Sequence, residues 1–266
     1  MQEQGAVLFL TLVMILTISM ITISLLSIVG KQRITAINYQ QNLENEYLLK
    51  AAVEKAEQKL REDLDDNKPW RTCDLVEMQF SGNVKIKELE DEIIIVNYEL
   101  KKVVDEQAKV NPNLLSSSQL RELPGVGTVL STRIEQRVLK EEIIAIEELK
   151  TIKDLGTEKY KKMRPFITIN TQGKINLNTA SDHVLETLPG IGLITAVKII
   201  NYRQINGPFN TKDKIQNVAG IGAVTYHQIA GQITVESDLF TAVFEISIPT
   251  RNVEQEVIKL IKLNDD

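Results

Sequence analysis

The chain has 266 residues, 43% hydrophobic and 25% charged, with a formal net charge of −5 at neutral pH. That length holds a membrane segment plus one or two modest domains, and the acidic balance argues against a dedicated nucleic-acid binder, which is ordinarily basic. The single cysteine, Cys73, excludes an internal disulfide and reads as an ordinary buried or half-exposed thiol.

No charged residue occurs between Gly5 and Gly30. As a helix rising about 1.5 Å per residue, this run is long enough to cross a hydrocarbon core of about 30 Å. It is too long for the apolar core of a secretory signal, and "MQEQG" offers no basic start. After Lys31 and Arg33 the chain stays helix-compatible to about Leu64, without Gly or Pro. Ile34, Ile37, Leu43, Tyr47, Leu48, Ala52, Ala56 and Leu60 recur there at helical spacings. The pattern predicts one helix from about Ala6 to Leu64, roughly 90 Å long, half in lipid and half against a soluble domain. Taken alone, Lys31 and Arg33 would mark the cytoplasmic side.

"LDDNKPW" breaks this helix at Asp65 to Pro69. Strand-like runs follow. Between Ile93 and Val104, Ile94, Val96, Tyr98 and Leu100 share one side, and Asn97, Glu99 and Lys101 the other. "FITIN" (Phe166 to Asn170) reads as another short strand. Phe240, Ala242, Phe244, Ile246 and Ile248 alternate with more polar neighbours, and "PTRN" turns the chain into a last strand through Val257, Lys259, Ile261 and Leu263. One antiparallel sheet packed on the long helix would bury them all, an α+β layout.

Between the strands lie two helical inserts, about Asn111 to Arg164 and Asn176 to Gly231, related by repetition. "LRELPGVGTVLSTRI" (Leu120 to Ile134) matches "LETLPGIGLITAVKI" (Leu185 to Ile199), and "NVAGIGAVTYHQI" (Asn217 to Ile229) is a weaker copy. Each reads as a helix-hairpin-helix. Two glycines (Gly125 and Gly127, Gly190 and Gly192, Gly220 and Gly222) permit a turn that side chains would obstruct. Val126, Ile191 or Ile221 plugs the gap between the helices, and an Ile recurs nine residues after each first glycine: Ile134, Ile199 and Ile229. The second helix of each unit starts with unpaired N–H groups that can hold a phosphate, water or a carboxylate. Asn178 is placed as a helix N-cap, and Asn210 or Thr211 opens the helix before the third copy.

Lys198 and Arg203 follow the second hairpin and are the candidate phosphate contacts. The third copy offers only Tyr226 and His227, while "KEE" (Lys140 to Glu142) and Glu147–Glu148 in the first insert would repel DNA. Catalysis is not expected. The hairpin of DNA glycosylases carries a lysine where Ile194 stands, and His183 and His227 are isolated, without metal-ligand spacing.

The long helix that starts after a glycine resembles those of type IV pilins and type II secretion pseudopilins. That resemblance implies peptidase cleavage after Gly5, with Ala6 as the mature start. Leu10 stands where the family usually has glutamate, as in the minor pseudopilin called type II secretion protein K. "VVDEQAKVNPN" (Val103 to Asn113), "YKKMRPFITI" (Tyr160 to Ile169) and "GKINLNTA" (Gly173 to Ala180) also resemble that family's passage into and between its inserts.

The resemblance implies a leader over 1–5, a transmembrane half-helix over 6–30 and a soluble half-helix over 31–65. Pilin-like strands follow over 72–104, a first helical insert over 105–165, a strand over 166–172, a second insert over 173–234, and C-terminal strands over 235–266. It further implies a tip subunit in the cytoplasmic (inner) membrane, single-pass, with its head outside the cytoplasm. Its partners would be other minor pseudopilins, the prepilin peptidase and the inner-membrane assembly platform. Some relatives hold calcium through an aspartate-rich segment. Asp105 and Glu106 alone are too few for such a site, so the residues give no cofactor, and calcium stays open through the resemblance alone. From Lys174 to Val235, "INLNTAS", "LPGIG", "IINYR", "GPF" and "VAGIG" also resemble the paired hairpins of the bacterial competence DNA receptor, which implies a membrane-anchored DNA-binding role instead.

Overall fold

The computed structural model describes residues 2–67, 78–87 and 93–263, with backbone alone at 2–8, 66–67 and 86–87. Met1 of the expected leader, Lys68 and Pro69 of the helix break, Cys73, parts of the 72–104 strand region and residues 264–266 lie outside the described residues, as do the side chains around Gly5 and Ala6. The chain divides into two compact units, Met1–Ala51 and Ala52–Asp266.

The first unit is helix. α1 (Gln2–Asn67) begins there and continues into the second unit. From Phe9 to Val29 its apolar side chains are exposed. The hydroxyls of Thr17, Ser19 and Thr22 donate back to the carbonyls of Met14, Ile15 and Ile18 at 2.8–2.9 Å. Each of these three hydroxyl hydrogens is satisfied within the helix itself, as suits an apolar surrounding. With a mean hydropathy of 2.6 in its apolar window, this helix is long and apolar enough to cross a membrane.

In the second unit, Ala52, Val53, Ala56, Leu60 and Leu64 of α1 are buried, a stripe at the four-residue spacing of one helix face. A four-stranded sheet follows the order β1 (Ser81–Lys87), β2 (Ile93–Asp105), β5 (Leu239–Ile248), β6 (Val253–Lys262), antiparallel throughout. Its inner face is apolar and buried: Ile94, Val96, Tyr98 and Leu100 from β2, the five alternating residues from Phe240 to Ile248 of β5, and Ile261. Arg61 of α1 donates to the Lys262 carbonyl. The Lys59 ammonium lies 4.7 Å from the centre of the Phe80 ring. Helix and sheet are thereby tied at both sheet edges, in the pilin-like α+β layout.

A register shift between Leu100 and Lys102 inserts one extra residue into β2. Beyond it the buried positions change phase, to Val103 and Asp105. The residues between β2 and β5 form a helical region. It contains α2 (Ser117–Leu120), α3 (Thr128–Lys140), α4 (Gly156–Met163), a two-residue strand β3 (Ile175–Asn176), α5 (Asp182–Leu185), α6 (Leu193–Asn206), α7 (Ala223–Ile229) and β4 (Ile233–Thr234), which pairs in parallel with β3. Both inserts feed one hydrophobic cluster running from Val110 to Val235.

The strand expected at "FITIN" is corrected. Arg164–Phe166 is a 3-10 turn, and Ile167 makes a single parallel bridge with Val110. Val110 donates to the Phe166 carbonyl and accepts from Thr168, both at 2.9 Å. The ladder stops there because Val110 is followed by a 3-10 turn, Pro112–Leu114, whose proline has no N–H to donate. The last strand also ends one residue before Leu263.

Candidate functional site

Three hairpins share one geometry. The first glycine has φ of +81° at Gly125, +77° at Gly190 and +105° at Gly220, the left-handed region that favours glycine. The plug residue follows. Val126, Ile191 and Ile221 are buried, and each donates its N–H at 3.0 Å to the carbonyl three residues back, on Leu123, Leu188 and Val218. The second glycine then accepts the first bond of the second helix, from Ser131, Ala196 and Tyr226. Ile134, Ile199 and Ile229 are fully buried. The expectation that both glycines are needed for the turn is corrected. Gly127, Gly192 and Gly222 are extended, with φ of −89°, −99° and −95°. An added Cβ at any of them would meet nothing within 4 Å.

A fourth hairpin escaped the sequence reading. Asp154 takes φ +69°, Leu155 is buried and donates to the Ile152 carbonyl, and α4 follows. Met163 is nine residues after Asp154 and fully buried. The available signal was an Asp-Leu-Gly in register with Gly-Ile-Gly, since aspartate tolerates the left-handed region better than most residues. The hairpins pack in pairs. A methyl at Gly125 would lie 3.5 Å from Lys159 of α4, one at Gly190 would lie 3.4 Å from Thr225 of α7, and one at Gly220 would lie 3.9 Å from Thr195 of α6.

The two candidate phosphate contacts differ. Lys198 is exposed on α6. Arg203 Nη1 donates to the carbonyls of Leu177 and Ala180 at 2.6 and 2.9 Å, so its guanidinium is committed to holding the loop before α5. The hairpin tips themselves are apolar: Val129, Ile194 and Val224, the second residue of each second helix, are exposed. Beside Leu188–Gly192 runs a cleft lined by Glu122 and Glu186. Burial raises the Glu186 pKa above the ordinary carboxylate value, with Glu122 contributing and His183 opposing. A phosphate on this hairpin would face carboxylates.

Two further placements correct the sequence reading and one agrees with it. Asn178 is no N-cap. Its side-chain amide is buried, donating to the carbonyls of Phe209 and Val235 and accepting from Phe209 N–H at 2.8 Å, so it stitches three segments together. Ser181 caps α5 instead, accepting from Val184 N–H. Thr211 does occupy the N-cap position of the 3-10 helix Lys212–Asn217, without a side-chain bond to it. His183 is not isolated in space: one turn of chain brings Asp182, His183 and Glu186 together, with their ligand-type atoms within 4.8 Å.

The residues that join sheet to helical region were also missed as a site. Asp105 ends β2 and is buried. Its carboxylate accepts from Gln107 N–H (2.8 Å), Asn176 Nδ2 (3.2 Å), Thr179 Oγ1 (2.5 Å) and Ser237 Oγ (2.6 Å). Burial raises its pKa, against the pull of these four bonds. At Glu106 burial is again the largest single influence, but the Lys109 charge and hydrogen bonds from Lys109, Thr168 and Thr241 outweigh it and lower the pKa. Both carboxylates are thus engaged by the protein's own donors.

Comparison with known proteins divides along the same joint. Residues 105–168 and 170–234 each match the family model described as a helix-hairpin-helix motif, one match per hairpin pair. ComE operon protein 1 of Bacillus subtilis (strain 168) is 40% identical over 62 residues, which is 23% of this chain and 30% of that protein. The human endonuclease/exonuclease/phosphatase family domain-containing protein 1 is 36% identical over 66 residues, 25% of this chain and 12% of that protein. The chain therefore covers less than a third of either relative. Fold similarity reaches much further. A chain of the GspK-GspI-GspJ complex from the type 2 secretion system of enterotoxigenic Escherichia coli superposes with a TM-score of 0.54 and 15% sequence identity. That superposition covers 86% of this chain and 94% of the other. The fold is pseudopilin-like, with helix-hairpin-helix pairs set into it.

Proposed function

We propose that this protein is a minor pseudopilin of the protein K type, placed at the tip of a type II secretion or related pseudopilus, where it initiates assembly and supports protein export. The observation that carries this reading is the placement of the whole hairpin region between β2 and β5 of a pilin-like sheet, on a chain that opens with an exposed apolar helix. A head of that size obstructs packing along a filament and is accommodated at its end. The role is structural rather than enzymatic. The head lies outside the cytoplasm, anchored by a single pass in the cytoplasmic membrane. Partners are other minor pseudopilins, the prepilin peptidase that cleaves between Gly5 and Ala6, and the inner-membrane assembly platform. The fold likeness to a chain of a three-pseudopilin complex supports the first of these. Leu10, in place of a family glutamate, suits a subunit with no further subunit beyond it. Co-expression of the full chain with neighbouring pseudopilins, followed by detergent extraction and pull-down, tests the reading. A stable hetero-complex is expected. No complex, together with normal secretion in a deletion strain, would overturn it.

The second reading is a membrane-anchored DNA receptor, favoured by the likeness to ComE operon protein 1. Arg203 already serves two backbone carbonyls and the second hairpin borders Glu122 and Glu186, and both features weaken that reading. A gel-shift titration with duplex DNA across a salt series decides it, since phosphate-driven binding weakens steeply with salt.

A further inference from the structure

Asn206–Gly207 is the one Asn-Gly pair in the sequence, and it stands where α6 ends. Asn206 is exposed, and its Nδ2 donates to the Tyr202 carbonyl at 3.0 Å. Gly207 leaves the helix at φ +84°. Its N–H, unlike that of Glu141 at the end of α3, makes no hydrogen bond among the described residues. Nor does the Asn206 carbonyl accept one, as is ordinary in the last turn of a helix. The next residue, Pro208, has no N–H to hold the chain. The peptide unit between Asn206 and Gly207 can therefore turn without breaking a backbone hydrogen bond. There is also room beside it, since a Cβ built on Gly207 meets nothing within 4 Å.

The other exposed asparagines of this hairpin pair are held differently. Asn217 is followed by Val218, whose N–H is bound to the Ile215 carbonyl at 3.0 Å. Asn201 lies inside α6, where the following N–H belongs to the helix ladder. Both also precede a residue with a side chain, which crowds the approach of its nitrogen to the amide.

We propose that Asn206 is a site of spontaneous deamidation through a cyclic succinimide, with water as the co-reactant. The Gly207 nitrogen gives its proton to hydroxide and bonds to Asn206 Cγ. The Cγ–Nδ2 bond breaks, and the amide leaves as ammonia with a proton from water. Water then adds to either ring carbonyl. Breaking the bond at Cγ restores the original main chain with aspartate. Breaking the bond at the main-chain carbonyl carbon routes the chain through Cγ, as isoaspartate. Neither product involves oxidation or reduction.

Both products put a carboxylate in the last turn of α6, where the helix dipole disfavours it, and remove the amide donor from the Tyr202 carbonyl. Isoaspartate also lengthens the main chain by one carbon just before Phe209. That residue is clamped by Asn178 through its N–H and its carbonyl, at 2.8 and 3.1 Å, and its ring stacks on Tyr202 at 5.2 Å. The modification thus falls on the connection between the two hairpins of the second pair.

The test incubates the folded full chain in detergent at neutral and mildly alkaline pH, in ordinary and heavy-oxygen water. Peptide mass spectrometry then follows amide-to-acid conversion at each asparagine, with fragmentation that distinguishes isoaspartate from aspartate. Conversion at Asn206 is expected to run several-fold faster than at Asn201 or Asn217, and to rise in proportion to hydroxide. Its products should include isoaspartate and carry heavy oxygen. Asn206→Gln keeps an amide at an exposed position but closes the larger ring much more slowly, and it is expected to lose the isoaspartate signal from this peptide. Equal rates at the three asparagines, conversion only after denaturation, aspartate without isoaspartate, or an unchanged signal in Asn206→Gln would each overturn the proposal.

Discussion

Gly190 and Gly192 stand two residues apart and obey different constraints. At Gly190 a φ of +77° strains any L side chain, and a new methyl would also press on Thr225. Gly190→Ala should therefore cost about 1–2 kcal/mol. Gly192→Ala, extended and open, should be neutral or stabilise by about 0.4–1 kcal/mol through the unfolded chain. Thermal unfolding of the two variants side by side checks the contrast. The pair of glycines was legible in "LPGIG", but their separate roles were not, because φ is set by the path of both helices. Asp105 shows the same limit. The sequence displays an acidic pair, and only the fold shows that burial raises one pKa while Lys109 helps lower the other. A raised pKa means that Asp105 favours the folded state fully below about pH 4 and loses that contribution as pH rises through its folded value. Glu106 acts in the opposite sense, contributing above about pH 4.3 and losing it as pH falls. Asp105→Asn removes only the first dependence. Urea unfolding at a series of pH values should thus show the variant gaining on the parent as pH rises from 4 towards neutrality, and a constant difference would refute this assignment.

α6 carries two cations that look alike in sequence and do different work. Arg203→Ala should destabilise by about 1.5–3 kcal/mol, because the Leu177 and Ala180 carbonyls lose a charged donor. Lys198→Ala should stay within about 0.5 kcal/mol, as for other exposed positions. Denaturant melts separate them, and equal small effects would sink the structural role given to Arg203. Leu155 makes a parallel case for the fourth hairpin. As a buried plug equivalent to Val126, its replacement by Ala should cost about 2–5 kcal/mol, whereas an ordinary loop leucine would cost little. The hairpins with two glycines were plain from spacing. This one was hidden because aspartate supplies the left-handed residue, a substitution that composition does not reveal. "FITIN" failed in the other direction. Its alternation fits a strand, but among the described residues its one bridge partner is Val110, and Pro112 ends that ladder after one bridge.

At the scale of the molecule, one chain combines an exposed apolar helix, a pilin-like sheet and four hairpins in two pairs. The membrane reading makes a direct prediction. Mass spectrometry of the protein from membranes should find the mature amino terminus at Ala6, and an intact Met1 would remove the chain from the class of processed pilins. The extent of the long helix was legible because both its signals are local: an unbroken apolar run, then a stripe at four-residue spacing on the one face that is buried. The sheet's inner face was legible for a similar reason: alternation in β2 and β5 records which side is buried.

By itself the sequence determined the elements whose signal is periodic or repeated: the anchor helix, the alternating strands, and three hairpins with their plugs. Only the tertiary structure decided what the non-periodic polar residues do. Asp105, Asn176, Asn178 and Arg203 are ordinary surface types in a one-dimensional reading. Asp105 and Asn176 join sheet to hairpins side chain to side chain, and Asn178 and Arg203 hold backbone carbonyls of separate segments of the helical region, because buried polar groups that meet in the fold must be hydrogen-bonded. Long-range pairing of that kind leaves no period in the sequence, since its partners lie as far apart as Asp105 and Ser237.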